Sequence, residues 1–459
     1  MSDTLNRTSQ PNIILINCDD LGYGDLACYG SRRNDTPHLD QLAATGMRFT
    51  DFYMASPVCS ASRAAMLTGC YSQRIGFADY QVLFPGQAQG LNPKESTIAR
   101  QLKLVGYDTK IVGKWHCGDQ PEFLPTNHGF DEYFGIPFSN DMGRQVNRLE
   151  SPPLPLMRND EVIQQQPDQR GITERYVDES LQFLRRERKA PFFLYLAHMY
   201  VHVPLFVPKQ FMETSRNGAY GGAVACIDWA MGMIEAELNR LGIKDDTLII
   251  FTSDNGSRAR DEGGSNAPFR GTKAQTWEGG QRVPCIMRWP GKIAAGMTCE
   301  GIASSIDLFA TLAEIAGAPL PPDTTLDSIS LVETLLKGKP TKRDVFAYYR
   351  GPNLEAVRKG DWKRHYFRDA QPLFELYNLR DDVGERNNVY ENHPEIVAEL
   401  DIEAEEIRQA FGDRRLDCTG AEVREIGVSA HPKPLTEYDE THPYMIAYYD
   451  LADMPTMAG

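Results

Sequence analysis

The run Cys59-Ser60-Ala61-Ser62-Arg63-Ala64-Ala65-Met66-Leu67-Thr68-Gly69 carries more chemical information than any other stretch of the chain. Small, helix-tolerant residues follow the cysteine, which places it near a helix N-terminus. There, free N–H groups and the helix dipole favour an anion. Arg63, about one turn later, can reach back to the same place. On its own the run fits a buried structural cysteine equally well, the usual fate of a lone one. Two strand-like segments add acidic groups. Asn12–Asn17 leads into Asp19-Asp20-Leu21-Gly22, and Thr247–Thr252 leads into Ser253-Asp254-Asn255-Gly256. A third apolar segment ends in Gly113-Lys114-Trp115-His116, and Phe192–Ala197 leads to His198 and His202.

These residues must be positioned by a scaffold, and the periodicities supply one. Strand and helix signals alternate over about the first three-quarters of the chain, the pattern of a mostly parallel α/β sheet flanked by helices. Thr36-Pro37 with Leu39, Leu42 and Gly46 predicts a short helix closed by glycine. Ile98, Leu102 and Val105 predict another, ending at Gly106. Val224, Ile227, Met231, Ile234, Leu238 and Leu241 recur at helical spacing up to Gly242. The acidic, lysine and histidine groups named above then fall just beyond the C-terminal ends of strands, where open α/β sheets bind ligands. Proline and glycine mark a boundary near residue 338. Short strand-like pieces at 345–349, 355–358, 362–367 and 374–377 follow, then a helix from Pro394 to Phe411. The expected division is a catalytic domain over residues 1–338 and a smaller C-terminal antiparallel sheet with a packed helix over 339–459. The aromatic, proline-rich tail from His431 is expected to pack on the protein's own core or on a second subunit.

Bulk properties exclude several classes. The 459 residues carry a net charge of −15, which argues against nucleic acid or an anionic membrane as partner. A few cations focused in one cleft still permit an anionic substrate. No apolar run is long enough to span a bilayer. The segment Met1–Arg7 lacks the apolar core of a signal peptide. The expected location is therefore cytoplasmic, or periplasmic or secreted if a leader was removed. The nine cysteines are an odd count without a CxxC pair, which fits neither a disulfide framework nor a zinc site. The sequons at Asn6, Asn34 and Asn255 are read as chance matches. Oligomeric state is left open, a homo-oligomer included.

The motif Cys59–Gly69 resembles the type I sulfatase pattern C-x-P-S-R-x-x-x-L-T-G of the alkaline phosphatase superfamily, with Ala61 in place of proline. The resemblance extends from Asn12 to the Glu375–Asn388 region and implies an alkaline-phosphatase-like fold. It implies that Cys59 is oxidised to formylglycine by a transiently bound generating enzyme. The hydrated aldehyde would attack the sulfur of a small-molecule sulfate ester and release inorganic sulfate. By the same resemblance Asp19, Asp20, Asp254 and Asn255, with the modified Cys59, hold a cation. All-oxygen ligands suit calcium, or magnesium, better than zinc. Arg63, Lys114 and Lys273 would gather positive charge on the sulfate. His116 would take the proton that frees sulfate, and His202 would bind sulfate and protonate the leaving group. Ser139, in a stretch resembling the arylsulfatase branch, would donate a hydrogen bond to the sulfate-side cluster. Asn140 stands where that branch often has histidine. His198 is read as a supporting residue. The loops at 82–91, 143–170 and 258–268 are expected to set the substrate, with Arg144–Arg148 and Gln164–Gln166 near the entrance. Two other readings use the same residues: a phosphonate monoester or phosphodiester hydrolase of the superfamily, and an inactive binder of sulfated ligands.

Overall fold

A computed structural model describes residues 10–144, 151–369, 371–442 and 444. Its centre is a ten-stranded mixed sheet. The strands run in the order Met297–Cys299, Met47–Phe49, Cys285–Arg288, Thr247–Ser253, Asn12–Cys18, Phe192–Ala197, Asp108–Gly113, Glu132–Gly135, Pro155–Arg158 and Glu161–Gln165. The five middle strands, Thr247–Ser253 through Glu132–Gly135, pair in parallel. Antiparallel partners close both flanks.

The central strands are mostly apolar because both faces are covered. Alternation sorts the side chains. Ile13 and Leu15 join one buried cluster with Ala61, Ala64 and Leu67 of the helix Cys59–Thr68 and with Leu308 and Leu312 of the helix Asp307–Ala316. Ile14 and Ile16 point the other way, onto Val224, Ile227 and Ile234 of the helix Gly218–Leu241 and Leu39 and Leu42 of the helix Pro37–Ala44. Each of the fully buried valine, leucine and isoleucine side chains among them contributes about 1.5–3 kcal/mol.

The second sheet is an antiparallel meander, Val345–Arg350, Asn353–Lys359, Trp362–Arg368 and Gln371–Asn378. The helix Pro394–Phe411 packs on it through Val397, Leu400 and Ala404. Phe346 and Tyr348 of the meander meet Tyr53, which precedes the Cys59 helix.

The predicted helices and strands are all present, with two differences of detail. The first helix stops at Ala44 with Thr45 at its cap. Gly46 is kept small for another reason: a Cβ there would lie 2.5 Å from the Met287 carbonyl oxygen. The stretch 143–170 is more than a loop, because Pro155–Arg158 and Glu161–Gln165 form a hairpin at the sheet edge. Asn34 and Asn255 are buried and hydrogen-bonded, so neither can accept a glycan. Asn6 and Arg148 lie outside the described residues. All nine cysteines are free, and no helix among the described residues is long and apolar enough to cross a membrane.

Candidate active site

Cys59 is the first residue of its helix, and Val58 before it provides no side-chain cap. The positive end of the helix is thus left to the site. All ten residues of this helix are buried. That burial explains why the motif is rich in alanine and serine: larger side chains would not fit beneath the sheet.

Each parallel strand delivers one part. The strand Asn12–Cys18 ends at Asp19, and Asp20 follows in the left-handed region with φ of 59°. The strand Thr247–Ser253 ends at Asp254, whose N–H donates to the Cys18 carbonyl at 3.0 Å. The strand Asp108–Gly113 releases Lys114 at a glycine that cannot be replaced, since a Cβ on Gly113 would lie 1.8 Å from the Ala197 oxygen. Crossing backbones explain the Gly279 region too. Gly256 donates to the Gly280 carbonyl at 3.0 Å, and a Cβ on Gly256 would strike the Gly279 oxygen.

The side chains converge. Cys59 Sγ lies 3.6 Å from Asp19 Oδ1. Lys114 Nζ donates to Asp19 Oδ2 at 2.5 Å and to Ser139 Oγ at 2.7 Å. Lys273 Nζ pairs with Asp20 at 3.0 Å. His202 Nε2 stands 3.9 Å from Asp20 Oδ2 while its Nδ1–H donates to the Val203 carbonyl at 2.5 Å. The Asp20 N–H donates to Asp254 Oδ1 at 3.3 Å, and Asn255 Nδ2 donates to Asp20 Oδ1 at 2.7 Å. All eleven predicted site residues are at most 7% exposed.

Three side chains show contacts that spacing did not specify. Arg63 turns to Asp254, donating from Nε at 2.8 Å, and its Nη1 donates to the Lys114 carbonyl at 3.1 Å. It therefore holds an acidic residue and the lysine strand-end together. Ser139 accepts from Lys114, so its oxygen orients the ammonium group. His116 sits with φ of 63° and donates from Nε2 to the Leu83 carbonyl at 3.0 Å. This tautomer, fixed by its partner, leaves Nδ1 with a lone pair, and Nδ1 is buried without a hydrogen-bond partner.

The electrostatics follow from this crowding. Burial alone would raise the Asp19 carboxyl, but Lys114, His202, Arg63 and Lys273 outweigh it and hold it well below the usual carboxylate range. Burial, reinforced by Asp19, raises Asp254 to about 6. Burial pushes the Cys59 thiol up, and it drives His116 well below its ordinary value so that the imidazole is neutral.

Asp19, Asp20, Cys59 and His202 place ligand atoms within 4.8 Å of one another. Asn255 Oδ1 is buried with no hydrogen-bond partner. An amide oxygen orphaned among carboxylates is a donor set for a hard divalent cation, and the residues fit one.

The sulfatase family model matches residues 11–318. The chain belongs to the sulfatase family. It is a type I sulfatase of the alkaline phosphatase superfamily, an enzyme of sulfuric ester hydrolysis. A second family model, the C-terminal region of N-sulphoglucosamine sulphohydrolase, matches residues 272–410. N-acetylgalactosamine-6-sulfatase of Rattus norvegicus is 42% identical over 375 residues, covering 77% of this chain and 71% of its own. Arylsulfatase A of Homo sapiens is 42% identical over 428 residues, 83% of each chain. The crystal structure of Ps i-CgsB in complex with k-i-k-neocarrahexaose shares the fold with a TM-score of 0.79 at 30% identity, covering 90% of this chain and 95% of that one. Sulfatases of this family generally use calcium and formylglycine.

Several residues that hold this sulfatase's site had no role assigned from the sequence. Ser62 Oγ donates to the Asp254 carbonyl at 2.5 Å. Ser60 Oγ accepts from the Leu83 N–H at 3.0 Å, which ties the loop that also binds His116 to the Cys59 helix. Behind Lys273, Lys363 donates to the Thr276 carbonyl at 2.8 Å and to Glu278 at 2.9 Å. The Glu278 N–H donates to Glu385 at 2.8 Å. Serines and lone charges are too common for spacing alone to single these out.

Proposed function

We propose that this sulfatase releases inorganic sulfate from a sulfated saccharide, with Cys59 matured to formylglycine and a calcium ion held by Asp19, Asp20, Asp254 and Asn255. The observation that carries the reading is Cys59 at the open end of its helix, 3.6 Å from Asp19 and ringed by cations. Formylglycine supplies a hydroxyl nucleophile that cysteine lacks, and the cation draws negative charge from it and from the sulfate.

The chain's own side chains do the rest. Lys114 and Lys273, each anchored on a carboxylate, offer their remaining N–H donors to sulfate oxygens. His202 presents Nε2 toward Asp20 and, when protonated there, would hand a proton to the leaving oxygen. His116, neutral and with Nδ1 open, would accept the proton that frees sulfate. Arg63 keeps Asp254 ionised and in place. The saccharide class is supported by the N-acetylgalactosamine-6-sulfatase relatives and by Ps i-CgsB, solved with k-i-k-neocarrahexaose.

The test combines two measurements on protein from its native host. Peptide mass spectrometry over Cys59 should show the aldehyde or its hydrate. The same protein should release sulfate from sulfated sugars faster than it cleaves phosphate diesters or phosphonate esters. An unmodified thiol in a preparation that turns over nothing would leave the binder in its place.

A further inference from the structure

The chain after the C-terminal helix returns to the rim of the active site. Gly427–Val428 pairs with Gln89–Gly90, and the Ser429 N–H donates to the Ala88 carbonyl at 2.7 Å. Lys433 and Gln120 exchange two hydrogen bonds, at 2.8 and 3.0 Å. Thr436 Oγ1 donates to the Pro153 carbonyl at 2.5 Å. The arm thus stitches together two of the loops expected to set the substrate, and it brings Tyr438 and Tyr444 over Arg144. The Arg144 guanidinium carbon lies 4.0 Å from one ring centre and 5.1 Å from the other.

Arg144 is 8% exposed. It makes no ion pair among the described residues, and its Nε and Nη1 are buried with no hydrogen-bond partner. A buried guanidinium without a carboxylate is costly, and ring faces compensate only in part. In a protein of net charge −15, a buried cation without a carboxylate among the described residues stands apart. Its backbone is fixed: Gln166 Nε2 donates to the Arg144 carbonyl at 2.9 Å, and Gln166 Oε1 accepts from the Leu154 N–H at 2.9 Å. Ser139, which accepts from Lys114, lies five residues earlier across a short 3-10 turn at Asn140–Met142. Five residues span at most about 18 Å, so Arg144 lies within a few sugar-ring lengths of the sulfate-binding lysine.

We propose that Arg144 binds a second anionic group of the substrate, a carboxylate or another sulfate, and that Tyr438 and Tyr444 of the returning arm hold its guanidinium for that contact. The substrate class narrows to saccharide sulfates bearing at least two negative charges. The inference rests on the sulfatase reading and extends it. The planar fork of arginine suits two-point recognition of either anion.

The experiment measures kcat/KM on the full-length matured enzyme for a singly charged aryl sulfate and for saccharide sulfates with a neighbouring carboxylate or second sulfate. The wild type should prefer the doubly charged esters, and Arg144→Gln should cut that preference at least ~tenfold, chiefly through KM. Arg144→Lys should give an intermediate loss, and Tyr438→Ala a smaller one. Carboxylated and disulfated esters measured side by side identify which anion is read. A wild type that prefers the singly charged ester overturns the proposal, as does an Arg144→Gln variant in which both classes change by the same factor. Thermal unfolding of each variant and the Arg144→Lys result keep the comparison interpretable if Arg144→Gln folds poorly. Sulfate release from the aryl ester by the wild type tests the sulfatase reading alone; the preference ratio tests Arg144 alone.

Discussion

Two clusters of buried charge lie on either side of the loop that carries Lys273, and they are built on opposite plans. Behind the loop, Glu278 accepts from Tyr53, Tyr348, Lys363 and Arg282. Lys363 pairs with Glu278 and Glu385 at 2.9 Å each, and His365 Nε2 meets Glu385 at 2.7 Å. The Trp277 ring is clasped between Arg270 and Arg368. None of the polar atoms of Glu278, Lys363, His365 or Glu385 is left without a partner. In front of the loop, the Cys59 cluster is as deeply buried, yet His116 Nδ1 and Asn255 Oδ1 have no hydrogen-bond partner among the described residues. Burial is therefore alike, and the difference is unused hydrogen-bonding capacity. A saturated network fixes structure, whereas an unsaturated one is kept for something that arrives.

The sharpest way to break this contrast is Cys59→Ala. Sulfate release should fall at least ~1,000-fold, about 4 kcal/mol of transition-state stabilisation, while thermal unfolding stays near wild type. Substantial turnover in that variant would remove Cys59 from the mechanism. Next is Lys363→Met in the saturated network. Removing one partner of a buried ion pair should cost about 3–5 kcal/mol of stability, read by denaturant unfolding, because two carboxylates lose their shared cation. A cost below ~1 kcal/mol would show that the network is not what joins the meander to the Lys273 loop.

Calcium should separate the two clusters. At 100 times its dissociation constant it should stabilise the fold by about 2.7 kcal/mol, seen as a rise in melting temperature that a chelator reverses. Asn255→Leu should lose most of that rise, and Lys363→Met should retain it. The smallest effect concerns pH. Burial lowers the His365 pKa below its ordinary value. The unfolded chain therefore takes up the proton first, and this contribution to stability is present above about pH 6.5 and is lost as pH falls. His365→Gln should flatten the acid side of the stability profile by up to ~1.4 kcal/mol per pH unit. An unchanged slope would mean that folding does not lower the His365 pKa.

Much of this was legible from the chain. Strand and helix positions followed from periodicity because a sheet covered on both faces demands continuous apolar strands, as in Phe192–Ala197. The site residues were legible because they stand at strand ends, so one topological rule gathers Asp19, Lys114, His202 and Asp254. The hairpin within 155–165 was less so, because its first strand is a short run of three buried residues and its second has no buried position at all. Arg63 and Ser139 were found, but not what they bind, since a donor's target depends on groups brought up from distant segments.

The amino-acid order by itself determined which chemical groups exist and which end of the sheet they occupy, because local backbone geometry and the 2.0 and 3.6 periodicities act within a few residues. Only the tertiary structure decided which of those groups are saturated. The partners of Lys363 come from positions 276, 278 and 385, and the arm that crosses Arg144 comes from nearly 300 residues away. Valence left open is a property of the packed neighbourhood, and neighbourhoods are assembled by contacts that no local spacing encodes.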